Sequence, residues 1–126
     1  MMTATQAGQI LIRGTRTRLA SRAFVACTLR ARLIGLLGRP ALPEGDALVF
    51  PGCNSIHTFG MRFPIDVVFV DRSWRVVDVR EAMPPWRFAS PVWKAWGVVE
   101  MAAGSLKRVA LEVGDQLTLS ATGCDG

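Results

Sequence analysis

The chain has 126 residues, half of them apolar and a fifth charged, which gives one domain enough material for a core and argues against disorder. No apolar stretch reaches the roughly 18 residues of a membrane span. The start, "MMTATQAGQILIRG", lacks the basic block and apolar run of a secretory leader, so a soluble cytoplasmic protein is expected.

The net charge of +5 is unevenly placed: residues 1–45 carry seven arginines against Glu44 alone, while residues 46–126 carry eight basic and nine acidic groups. Such a block can meet phosphate or an acidic membrane, but its ordinary role is a solvated basic face. Cys27, Cys53 and Cys124 are widely separated, with no CxxC. That argues against a disulfide framework or a zinc ribbon and predicts free thiols.

In chain order, "QILIRGTRTRLASRAFVAC" alternates loosely around Gly14 and predicts two strands of a hairpin. In "TLRARLIGLLGRP", Leu29, Leu33, Leu36 and Leu37 recur at helical spacing, with Thr28 as N-cap and Gly38 and Pro40 as stops. "DALVF" is a short strand ending at Pro51-Gly52. "IDVVFV" and "RVVDVREAM" are the strongest strands, joined by "DRSW". "MPPWRFASPVWKAW" holds three prolines and three tryptophans, and is expected as a long loop. "GVVEMAAG" is a strand. "SLKRVALEVG" is a helix with Leu106, Val109, Ala110 and Val113 on one face, Ser105 as cap and Gly114 as stop. "DQLTLS" is the last strand. The expected architecture is α+β, a mainly antiparallel sheet curled into an open barrel with two short helices. Residues 1–126 are expected to form a single domain, with a core over about 9–119 and a frayed tail over 120–126.

The chemistry concentrates in "CNSIHTFGMRFPIDVVFV", which contains the only histidine. Cys53 and His57, about 13 Å apart in an extended strand, meet only if Pro51, Gly52 and Asn54 bend the chain. They would then suit a thiolate–imidazole nucleophile pair. A zinc site needs further ligands from Cys27, Asp66 or Cys124, and no spacing supports one. The expectation is no metal and no cofactor, with a buried thiol and a hydrogen-bonded histidine.

Asp66 sits in a strand whose two faces, Phe63/Ile65/Val67/Phe69 and Val68/Val70, are both apolar. A desolvated carboxylate requires partners. His57, Thr58 and Arg62 are the nearest donors in sequence, so Asp66 is expected to tether the "CNSIHTFGMR" turn. A general acid or base is the functional alternative. Glu100 repeats the pattern on the face of Val98 and Ala102, and two interior acids raise a weak glycosidase reading. Trp86, Trp93 and Trp96, with Phe88, Arg87 and Lys94, form the densest aromatic segment. They either stack a ligand or roof the barrel.

The ordered set "CNSIHTFGMRFPIDVVFVD", "VVDVREAMPPWR", "VVEMAAG" and "VGDQL", with "RLIGLLGRP" before it, resembles the bacterial and archaeal family called domain of unknown function 192. The resemblance covers roughly residues 28–119. It implies a small, mainly β fold of the α+β kind and no assigned activity. Many members look exported, with a leader that is not expected for this chain. The family pattern falls on Gly35, Pro64, Asp66, Phe69, Pro84, Glu100, Gly104, Gly114 and Asp115. His57-Thr58 is one variant of it, which lowers a Cys–His dyad.

The combined reading is a non-enzymatic ligand-binding or accessory module. Its cleft is expected between the 53–62 turn and the 83–96 loop, with Cys53, His57, Arg62, Asp66, Trp86, Trp93 and Glu100 as candidate binding residues and a small molecule, glycan or peptide as ligand. A small hydrolase using Asp66, His57 and Cys53 is the alternative. Nucleic-acid binding by the arginine-rich first third is disfavoured, because arginines and tryptophans lie in different segments.

Overall fold

The computed structural model describes residues 5–14, 17–25, 42–58 and 61–120. Among these residues the alternating apolar segments form nine strands: β1 (Thr5–Ile12), β2 (Arg18–Val25), β3 (Asp46–Pro51), β4 (Ile56–His57), β5 (Ile65–Val70), β6 (Val76–Met83), β7 (Phe88–Ala89), β8 (Gly97–Ala102) and β9 (Leu117–Ser120). One helix, α1 (Ser105–Val109), is present among the described residues. The helix expected over 28–38 falls outside them.

Seven strands make one sheet in the order β6-β5-β8-β3-β2-β1-β9, and β4 pairs with β7 in a second, two-stranded sheet. The expected β1–β2 hairpin is present. It turns through Gly14, whose φ of 82° suits a residue without a side chain.

The sheet is mainly antiparallel, as expected, with one parallel pair. β2 and β3 run parallel, with Arg22 opposite Asp46 and Val25 opposite Val49. Parallel neighbours require a crossover of a dozen or more residues. The connection between Val25 and Asp46 is long enough to supply one, so the sheet is mixed.

The curl is visible in the packing. One core cluster draws from all seven strands, including Leu117 of β9 and Val76 of β6 at opposite ends of the strand order. The two edges also touch directly. Arg75 bridges Gln116, the Val76 N–H donates to the Asp115 carbonyl at 2.8 Å, and the Leu117 N–H donates to the Trp74 carbonyl at 2.9 Å. The inside of this half-barrel is the first core. A second core lies on the outer face of the central strands, where Leu48, Phe50, Ile65, Val67, Phe69 and Val98 meet Cys53, Met61, Met83 and Ala89. Being covered on both sides explains why all six residues of β5 are buried.

The α1 helix is shorter than the periodicity suggests. It stops at Val109, with Ala110 in the left-handed region as its C-cap. Ser105 does not cap it either: the N-cap is Gly104, with no side-chain cap of its own. The Ser105 hydroxyl instead donates to the Ala102 carbonyl at 2.7 Å.

Candidate functional site

The outer core is roofed by two irregular segments that the sequence places on either side of a cleft. Along residues 56–58 and 84–89 the structure bonds them together instead. Ile56 pairs with Ala89 and His57 with Phe88. The alternation of a strand then sets direction: Ala89 is buried and Ile56 packs on the outer core, while His57 and Phe88 are exposed. Further along, the Val92 N–H donates to the Asn54 carbonyl at 2.8 Å. Over this stretch the segments form a continuous layer rather than two opposed walls.

Thr58 is the clasp of that layer. It is fully buried. Its hydroxyl donates to the Pro84 carbonyl at 2.6 Å and accepts the Arg87 N–H at 2.8 Å. Its own N–H donates to the Arg87 carbonyl at 2.8 Å, and its carbonyl accepts the Trp86 N–H at 2.9 Å. Trp86 takes a left-handed φ of 63° to fit this turn. The sequence shows Thr58 only as one donor among several. The signal available was a small hydroxyl residue in an irregular segment, which can satisfy backbone groups that no ladder reaches.

What the layer presents outward is aromatic. Trp86 is 64% exposed, Phe88 58% and Trp93 87%. Trp96, by contrast, is partly buried: its ring meets Trp74 edge-on with centroids 6.4 Å apart, and its backbone N–H donates to the Val70 carbonyl at 2.7 Å. Trp96 thus fits the roof expectation in part, while Trp86, Phe88 and Trp93 stand outside the core. An open groove of about 460 Å³ lies beside Trp93, lined also by Asp71, Arg72, Ser73, Lys94, Ala95 and Trp96.

Asp66 is 1% exposed and accepts three backbone hydrogen bonds. Oδ1 takes the Ala82 N–H at 2.7 Å. Oδ2 takes the N–H of Gly104 at 3.1 Å and of Leu106 at 2.9 Å. The buried-tether expectation therefore needs new partners: among the described residues Asp66 anchors the start of α1 and the end of β6. It supplies from β5 the cap that α1 lacks locally, where N–H groups have no partner within the helix. Ala82 can reach it because the β5–β6 register shifts between Ile65 and Val67. The bulge puts Ala82 at a φ of 48° and turns its N–H toward the carboxylate.

Glu100 is 4% exposed, and its Oε1 has no hydrogen-bond partner among the described residues. Burial raises its pKa to about 8, because desolvation disfavours the charged form. It lies between Leu48 and Val67, its register partners on β3 and β5, and shares the outer face with Val98, as the strand alternation predicts.

The remaining candidates differ in exposure. Cys53 is buried in the outer core. His57 and Arg62 are exposed. Asp66 is on the inner face, so the sheet separates it from Cys53, and the proposed Asp66–His57–Cys53 constellation is not assembled. Among the described residues no three His, Cys, Asp or Glu side chains gather as a metal site would require.

In the basic first third, Arg22 forms a two-point ion pair with buried Asp46, Nε–Oδ1 and Nη2–Oδ2 both at 2.9 Å. The bond to Asp46 raises the Arg22 pKa further. This pair across the parallel strands has no signature in the sequence.

Comparison with known proteins agrees with this architecture. The family model described as "Uncharacterized ACR" (DUF192) matches residues 10–119. A UPF0127 protein of Thermococcus sibiricus is 33% identical over 113 residues, covering 86% of this chain and 73% of its own length. A UPF0127 protein of Pyrococcus furiosus is 40% identical over 63 residues, covering 50% of this chain and 53% of its own.

Two crystal structures share the fold. One, of a protein of unknown function from Novosphingobium aromaticivorans, has a TM-score of 0.77 at 21% identity and covers 90% of this chain and 86% of that one. The other, from Sinorhizobium meliloti and designated a candidate transcription regulator, has a TM-score of 0.77 at 18% identity and covers 91% and 93%. The motifs, the half-barrel and these matches together make the chain a member of the DUF192, or UPF0127, family of uncharacterised proteins.

Proposed function

We infer that the protein is a non-enzymatic binding module that works through the outward face of its β4–β7 layer. The observation that supports this is the exposure of Trp86, Phe88 and Trp93 on a layer held by Thr58 at Pro84 and Arg87 and by the Val92–Asn54 bond. Exposed apolar side chains scattered singly are ordinary. Three large aromatics within eight residues, on a segment fixed by buried hydrogen bonds, form an adhesive surface.

The hydrolase reading loses support from the geometry. Asp66 is occupied by three backbone donors, and Cys53 and His57 lie in different environments. The designation of the Sinorhizobium neighbour invites a nucleic-acid reading. Arg22, held by Asp46, offers that reading little.

The test is to probe arrays of glycans, peptides and lipids with the parent chain and with a Trp86→Ala, Phe88→Ala, Trp93→Ala variant. Signals on the parent that vanish in the folded variant are expected. Signals that persist in the variant, or p-nitrophenyl ester hydrolysis abolished by Cys53→Ala, would overturn the reading.

A further inference from the structure

We propose that the aromatic face docks on an anionic lipid surface. This rests on the binding-module reading and names its partner. Residues 53–64 and 84–96 carry Arg62, Arg87 and Lys94 and no acid at all, and all three cations are exposed. Arg87 lies between Trp86 and Phe88 in the chain, and Lys94 follows Trp93. Ala89 and Val92 pack inward on the outer core, so their exposed neighbours Phe88 and Trp93 project away from it.

Tryptophan suits the boundary between headgroups and acyl chains, since its ring is apolar while its indole N–H seeks a polar partner. Arginine and lysine beside it can lay their stems along the apolar edge and hold their charge among the phosphates. The groove next to Trp93 adds Arg72 to Lys94 as a cationic seat for a headgroup. Asp71, the acid lining that groove, has its Oδ1 held by the N–H groups of Ser73 and Arg75 at 2.8 and 3.0 Å.

Shape favours this partner over a small ligand. A soluble small molecule needs a concavity that covers most of its surface, whereas rings standing out from the protein can enter a lipid boundary without one. No helix among the described residues is long and apolar enough to cross a membrane. The attachment proposed is peripheral, through these side chains.

Flotation of the full chain with phosphatidylglycerol–phosphatidylcholine vesicles, against phosphatidylcholine alone, tests the proposal. The chain should float with the anionic vesicles, and its tryptophan emission should shift to the blue. Trp86→Ala with Trp93→Ala should abolish the shift and most of the binding. Lys94→Gln should weaken binding by about fivefold, near 1 kcal/mol for one surface cation. Melting curves of each variant establish that it is folded.

Absence of vesicle binding overturns the proposal. Binding that survives the double tryptophan variant overturns it as well, because net charge alone would then suffice. If vesicles give nothing while glycans or peptides bind and the aromatic variants lose them, the lipid assignment fails and the binding-module reading stands. If no probe of any class binds, both fail.

Discussion

Asp66 and Glu100 lie on adjacent strands, one register step apart, yet on opposite faces of the sheet. Asp66 is opposite Met101, and Glu100 is opposite Val67. Because side chains alternate along a strand, this single step sends one carboxyl to the inner face and the other to the outer core. The two acids cannot flank a common substrate bond, so the paired-carboxylate chemistry of a glycosidase is excluded for them. Their environments differ as well: Asp66 accepts three backbone hydrogen bonds, while Glu100 has an oxygen with none among the described residues.

Replacing Asp66 by Asn keeps the size but removes the charge and turns donors toward donors. The carboxylate serves three N–H groups at once, and an amide can accept at one oxygen only. Asp66→Asn is expected to cost about 2–4 kcal/mol, a fall in melting temperature of roughly 10–20 °C for a domain of this size. Thermal melts at neutral pH measure it. An unchanged or higher midpoint would mean that the carboxylate is strained rather than structural.

Glu100 carries the opposite expectation. Its folded pKa, raised to about 8, lies above the ordinary carboxylate value of 4.5. Between those values the unfolded chain has released a proton that the folded chain retains. Stability attributable to this residue is therefore greatest below about pH 4.5, falls as pH rises toward 8, and levels off above it. The steepest loss is about 1.4 kcal/mol per pH unit. Glu100→Leu removes both the titration and the orphan oxygen. Denaturant melts from pH 5 to 9 should show the parent losing stability relative to this variant, which should be at least as stable at pH 8. Parallel curves for the two proteins would count against the assignment.

Thr58→Val preserves shape and removes the hydroxyl that joins the Pro84 carbonyl to the Arg87 N–H. The expected loss is about 1–3 kcal/mol. Amide exchange should quicken first at Trp86 and Arg87, ahead of the β5 and β8 amides, because only the outer layer is loosened. Uniform acceleration across the sheet would show that Thr58 supports more than this layer.

Trp93→Ala should be almost silent in stability, within about 0.5 kcal/mol, because the side chain is 87% exposed. Phe69→Ala should cost about 3–5 kcal/mol, since that ring is fully buried in the outer core. Urea titrations of the pair separate surface from core within one protein. A large loss for Trp93→Ala would move that residue from the proposed contact face into the roof.

The readable part of the molecule followed local pattern. The double-sided burial of "IDVVFV", the β1–β2 hairpin at Gly14 and the outward or inward side of Glu100 all follow from period-two alternation, which depends on neighbours a few residues away. What escaped depends on long-range pairing. The donors of Asp66 lie 16, 38 and 40 residues downstream, so sequence proximity pointed wrongly to His57, Thr58 and Arg62. Parallel pairing of β2 with β3 depends on where a long connection returns, which periodicity does not encode. The pairing of β4 with β7 has the same origin. Nothing local indicates that the 56–58 and 84–89 backbones hydrogen-bond to each other rather than face a ligand.

The pairing of β1 with β9 bears on how the protein is made. Gln9 lies opposite Ser120 and Ile12 opposite Leu117, so the first strand of the sheet waits for the last one to be translated. Until then β1 offers an unpaired edge to other nascent chains, and Arg75 lacks the Gln116 bridge that joins the two sides of the curl. A ribosome-tethered fragment ending before Leu117 should therefore be prone to aggregate. Contacts that bring the first and last strands together also give a high contact order, so refolding from denaturant should be slow for a chain of this length.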